Sequence, residues 1–331
     1  MNERQESKDG SFKGLFPPQK RREDFYRERM RDRSTEELHR IIEERDRAKI
    51  KKDVLGTNGE RLAQIEYNPK TREVISVFPE QYLNVHGRAE QNDELVYTTD
   101  DKGNVTKERL TRAEARKQKK RYLIVTTMLY YENQMLVQKR SPNKHIDPER
   151  TSTSAHGVAK EVFIEADRVT NAQTAALINA TLEMNEELRH NASPFKVRIW
   201  PGNHLELFEY ADEQKFDDPD TVWLIAEAFV PNDGYPLGSL DNPRSRGLFA
   251  GFIFSKEKKP AISFDPNELE SVEWKNFRET ISDPGAAKDL PEAMLKIHEE
   301  ILRDNPYVRK YGPKLHENWM RRLRGEEVDK P

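Results

Sequence analysis

Three glutamates at positions 183, 186 and 187 stand i, i+3 and i+4 apart, a spacing that gathers their carboxylates on one side of a helix. Like charges so placed cost an isolated helix about 0.2–0.5 kcal/mol per pair. A hard divalent cation reverses that sign, because oxygen donors suit Mg²⁺ or Mn²⁺ and Mg²⁺ sites commonly combine carboxylates with substrate phosphates. Taken alone, a Glu-x-x-Glu-Glu run is more often a solvated acidic face. Leu177, Ala180, Met184 and Leu188 fall on another side of the same segment, so the pattern predicts a helix over about 174–189 with one apolar and one acidic face. Lys139, Arg140 and Lys144 follow an apolar run and suit either phosphate contact or a basic solvated turn. Arg244 and Arg246, read as part of a loop before a strand, carry the same two readings. Trp200, in Trp-Pro-Gly-Asn-His204, is read as a packed loop ring in preference to one that stacks on a base. No phosphate-binding glycine motif or serine-nucleophile elbow occurs. The chain has no cysteine, which excludes disulfides, thiolate metal sites and cysteine nucleophiles.

The elements that must position these groups follow from the remainder of the 331 residues, enough for one large or two modest domains. Apolar and charged residues each make up 35%, so a smaller core is expected under much solvated surface. The net charge of -3 gives no polycation for nucleic acid, no apolar run approaches a membrane span, and the N-terminus lacks the apolar stretch of a secretory signal. These features predict a soluble, cytoplasmic protein. Residues 1–52 hold 16 Lys/Arg against 12 Asp/Glu, a local charge of +4, and read as a charged, partly disordered arm. The capping box Ser34-Thr-Glu-Glu37 opens a helix in it, with Leu38, Ile41 and Ile42 as a thin stripe on a face laced with ion pairs.

Residues 53–89 read as a β-hairpin extension, Ala63–Tyr67 turning through Asn68-Pro69 into Val74–Phe78. Glu94–Thr99 reads as a strand before an Asp/Gly/Asn turn, and Thr111-Arg-Ala-Glu114 as a second capping box. Tyr122–Tyr130 and Met135–Lys139 predict a buried hairpin, with later strands at Leu205–Tyr210, Val222–Val230, Leu248–Phe254 and Ser271–Phe277. Residues 286–331 predict a C-terminal helical tail that includes His298, read as a core-edge residue. Strands around one central helix, with helical additions at both ends, point to an α+β fold.

The segment Leu182-Glu-Met-Asn-Glu-Glu187 resembles the R-E-U-x-E-E core of the Nudix box, where U is apolar. Four further stretches resemble that family in the right order: Asp93–Asn104 with Thr111–Ala115, Tyr122–Lys144, Ser152-Thr-Ser-Ala-His-Gly-Val158, and Asn267–Phe277. The lead-in looks most like the branch that includes isopentenyl-diphosphate isomerase. The resemblance covers about residues 90–285 and implies a Nudix-type α/β/α sandwich with a mixed sheet, carrying the N-terminal helical and β extension and the C-terminal helices.

The resemblance also implies Mg²⁺-dependent (or Mn²⁺-dependent) hydrolysis of a diphosphate linkage in a small nucleotide-like substrate. Carried over by position, Glu183, Glu186 and Glu187 are metal ligands, and Glu186 or Glu187 is the proton acceptor. Glu161 is the candidate for the loop glutamate, with 13 extra residues before the helix. Lys139, Arg140, Lys144 and His156 are the substrate-binding candidates. The chain departs from the family in three places. Leu182 replaces the arginine before the first helix glutamate, Arg189 replaces the glycine after the helix, and the isomerase's cysteine is absent, which argues against alkene isomerisation. The second function expected is therefore a catalytically silent Nudix fold that senses a ligand or docks a protein, with the terminal helices as surfaces for a partner or self-association.

Overall fold

The computed structural model describes residues 35–80, 94–132, 134–143, 151–190, 193–230, 244–255 and 259–276. Lys144, the C-terminal tail with His298, and most of the basic arm lie outside them. The described elements are α1 (Thr35–Arg47), β1 (Ile50–Leu55), β2 (Arg61–Asn68), β3 (Glu73–Pro79), β4 (Leu95–Thr99), β5 (Val105–Thr111) and α2 (Arg112–Lys117). They continue with β6 (Tyr122–Tyr131), β7 (Gln134–Arg140), β8 (Thr151–Ser152), β9 (Ala155–Val158), β10 (Phe163–Ile164), β11 (Asp167–Arg168) and α3 (Ala172–Glu187). The last are β12 (Leu188–His190), β13 (Lys196–Ile199), α4 (His204–Glu213), β14 (Asp218–Val230), β15 (Arg244–Phe254), β16 (Ile262–Phe264) and β17 (Leu269–Asn276).

The fold is α+β with a mixed sheet, as the sequence predicts. Its main path runs β11-β10-β1-β2-β3-β13-β14-β15-β6-β4-β5, while β7 joins β6, β8 and β17, and β9 joins β6. The β13–β14 and β15–β6 pairs are parallel and the others antiparallel. The residues of β6 are buried on both faces, which is why the segment reads as one apolar and β-branched run. Leu123, Val125 and Leu129 face a core shared with Ala175, Ala176, Ala180 and Met184 of α3. Met128 and Tyr130 face the other way, into a core with Leu38 and Ile42 of α1 and Leu207 and Phe208 of α4. Helices thus cover both sides of the strands, the expected α/β/α layering.

Several local expectations hold. Thr111 and Glu114 bond reciprocally at the start of α2, and β2 and β3 form the predicted hairpin. The stripe of α1 packs inward through Leu38 and Ile42, and buried Arg45 ties the helix to the sheet by donating to the Ile199 carbonyl at 2.7 Å. Trp200 is fully buried, its Nε1 donating to the Asn203 carbonyl at 3.0 Å, as a packed ring should be. Two expectations are corrected. The predicted strand 205–210 is helix α4, because Asn203 and Glu206 form a capping box that the aliphatic run concealed. Arg244 and Arg246 are not in a loop: both belong to β15, where Arg246 is buried and donates to Thr126 Oγ1 at 2.8 Å.

Candidate functional site

Helix α3 begins at Asn171, whose side chain accepts from the Thr174 amide at 2.9 Å. It sits close to the sheet because small residues meet there: a Cβ on Gly247 would approach the Ala176 Cβ to 2.9 Å. The helix is buried nearly all round, with Glu183 9% and Glu187 5% exposed. A solvated acidic face is therefore ruled out for Glu183 and Glu187. Leu182 takes part in the main core at 2% exposure, so an arginine at this position would meet apolar neighbours. The helix leaves through Leu188 at φ -129 and ψ 146 directly into β12. That extended exit needs no left-handed residue, so Arg189 stands there without calling for a glycine. His190, next in the strand, is paired through Nδ1 with Asp220 Oδ1 at 2.6 Å.

The carboxylates of Glu183 and Glu186 face β9 and the segment after it. Glu183 lies directly over Gly157, where an added Cβ would stand 1.9 Å from its Oε2. Beyond β9 comes Lys160, whose Nζ donates to both Glu186 oxygens at 2.8 and 2.9 Å and lies 3.4 Å from Glu94 Oε1. Its backbone is clamped to α3 in both directions by Asn179. The Lys160 amide donates to Asn179 Oδ1 at 2.8 Å, and Asn179 Nδ2 donates to the Lys160 carbonyl at 3.0 Å.

The electrostatics follow from burial among like charges. Burial raises the Glu183 carboxyl well above its ordinary value, Glu186 and then Glu187 and Glu94 add to the rise, and Lys160 opposes it. Glu94 is raised by burial against the pull of Lys160. Burial alone would lower the Lys160 ammonium, but Glu186, Glu183 and Glu94 outweigh it and hold the group raised and charged.

Glu161 is held elsewhere. Its carboxylate, 1% exposed, receives Arg109 Nε at 2.8 Å and Nη2 at 2.6 Å on one oxygen and the Arg168 Nε on the other. Arg168 reaches it from the β10–β11 hairpin before α3, and its guanidinium also lies 5.4 Å over the Tyr97 ring. Two guanidinium groups thus engage the carboxylate expected as a loop metal ligand. Among the described residues no group of three or more His, Asp and Glu side chains is placed to hold a metal ion. The donors suit a hard cation by chemistry, but Glu186 is engaged by Lys160 and Glu161 by the two arginines, so a divalent ion does not fit these two carboxylates as they stand.

Of the substrate-binding candidates, Arg140 and His156 come together, Nη1 to Nε2 at 3.4 Å, with Ser152 Oγ 3.3 Å from the other ring nitrogen. Lys139 is separate and paired with Glu270 of β17 at 2.8 Å. The sequence reading missed Lys160, Asn179, Arg109 and Arg168. Asn179 was legible only as an unexplained polar residue on the helix, Lys160 and Arg109 act across 26 and 52 positions of chain, and Arg168, only 7 positions from Glu161, meets it through a hairpin that periodicity does not reveal.

No family model and no curated protein matches the chain. It is similar to the solved structure of a Deinococcus radiodurans protein, 14% identical over 62% of this chain and 97% of that one, with a TM-score of 0.35. It is also similar to a MutT protein from Methanosarcina mazei Go1 (12% identical, 56% and 94% covered, TM-score 0.32). A NUDIX hydrolase from Alicyclobacillus acidocaldarius is a third such structure (11% identical, 56% and 93% covered, TM-score 0.34).

Proposed function

We propose that this chain is a Nudix-type module that binds a small nucleotide-like diphosphate and senses it, without divalent-metal hydrolysis. One observation carries the reading: Lys160 Nζ donates to both oxygens of Glu186, so an ammonium stands against a carboxylate expected to hold a metal ion. Arg140 and His156 are the groups of a chemistry that suits a phosphate, a planar donor fork beside an imidazole.

Hydrolysis dependent on Mg²⁺ or Mn²⁺ is the second reading, favoured by the presence of Glu183, Glu186 and Glu187 on one helix, with Glu183 and Glu187 buried and Glu186 half-buried. In that reading these glutamates are the metal ligands and Lys160 must first leave them. The test is a panel of nucleoside diphosphate derivatives incubated with Mg²⁺, with Mn²⁺ and with EDTA. Released phosphate or monophosphate is measured in parallel with the thermal shift of the protein. Ligand-dependent stabilisation without product is the expected result. Metal-dependent release of monophosphate would establish the hydrolase instead.

A further inference from the structure

We infer that the Lys160 ammonium is a covalently attached substitute for a divalent ion, and that removing it would turn the α3 carboxylate cluster into a metal site. This inference deepens the sensing reading and rests on it, since it takes the α3 face to correspond to a metal-binding face.

Three independent contacts define the substitution. The two-way Asn179 clamp fixes where the Lys160 backbone runs against the helix. The side chain then reaches Glu186 symmetrically, 2.8 and 2.9 Å to its two oxygens, and Glu94 at 3.4 Å on the neighbouring strand side. Gly157, with no Cβ, lets the Glu183 carboxylate lie over β9 within the same cluster. An ion bonded to Glu186 at about 2.1 Å would stand in the space of the ammonium, and the two positive charges would repel at contact distance. Lysine and metal are therefore alternatives. The lysine has the advantage of local concentration, because its position is set by the fold and needs no ion from solution.

The test uses the full-length protein and Mn²⁺ as the probe, read by isothermal titration and by thermal unfolding. Wild type is expected to show neither titration heat nor a shift in melting temperature. Lys160→Met keeps the length of the side chain and removes the charge; it should bind Mn²⁺ at least about tenfold more tightly than wild type and be stabilised by it. Adding Glu186→Gln to that variant should abolish the gain. A wild type that binds Mn²⁺ as well as Lys160→Met overturns the inference, as does a folded Lys160→Met that binds none.

If Lys160→Met does not fold without metal, the double variant Lys160→Met/Glu94→Gln removes one negative charge together with the positive one and leaves the α3 carboxylates in place. Mn²⁺ binding by that protein supports the inference and its absence overturns it. Failure here stands apart from failure of the sensing reading, which the wild-type ligand shift in EDTA reports without any metal.

Discussion

Replacing Glu161 by glutamine separates a structural carboxylate from a metal-binding one. The side chain is 1% exposed and accepts two N–H groups from Arg109 and one from Arg168. Hydrogen bonds to a charged group contribute about 1.5–3 kcal/mol each, toward the low end where the partner is wet. Arg109 is half exposed, so its two bonds count little, whereas Arg168 is 17% exposed and would keep a largely buried charge without its counterion. Removing one partner of a buried pair costs about 3–5 kcal/mol, and a discount for Arg109 puts Glu161→Gln near 3 kcal/mol. At about 2–4 °C per kcal/mol for a domain of 150–250 residues, the melting temperature should fall by roughly 6–12 °C. The drop should be the same in Mg²⁺ and in EDTA. A loop metal ligand would behave in the opposite way, since neutralising it leaves the metal-free protein unchanged or more stable. The assay is differential scanning fluorimetry backed by urea unfolding, and a melting temperature within about 1 °C of wild type would refute the arginine clamp.

Gly157→Ala should cost about 1–3 kcal/mol because its Cβ would stand 1.9 Å from the Glu183 carboxylate. The cost should shrink in a Glu183→Ala background, and strictly additive urea-unfolding energies for the pair would disprove that contact. Glu183 also predicts a pH trend. Burial and then Glu186 raise its folded-state value above the ordinary 4.5, so the native state binds the extra proton. That contribution to stability is fully present below 4.5 and is lost as pH rises through the folded-state value. Measured across the acid to neutral range, wild type should lose stability relative to Glu183→Gln as pH rises; parallel curves would show no such shift. Asn179→Ala removes the two bonds that hold the Lys160 backbone, and native-state hydrogen exchange should show the Lys160 amide opening more readily. Unchanged protection there would mean that the helix contact positions nothing.

Much of the fold is legible because its signals are local. The apolar and β-branched run 122–130 is buried on both faces, and the Thr111 capping box is present as read. The central helix was expected at about 174–189 and spans Ala172–Glu187. Residues 205–210 misread as strand because a short aliphatic run fits both periods, and only the Asn203–Glu206 cap decides between them. Arg244 and Arg246 misread as loop because arginine is unexpected in a buried strand, until Thr126 supplies its partner from β6.

The sequence by itself determined that three carboxylates would share one side of one helix, since i, i+3 and i+4 spacing fixes that wherever the helix lies. It also determined the α+β class, the central hairpin and the exclusion of thiol chemistry. What the carboxylates face was decided only by the tertiary structure. The length of the chain between β9 and α3 says nothing of its path. Strand pairing and the Asn179 clamp bring Lys160 across 26 residues to Glu186, and strand pairing brings Arg109 across 52 to Glu161. Charge compensation in a buried cluster depends on distance in space, and distance along the chain carries almost no information about it.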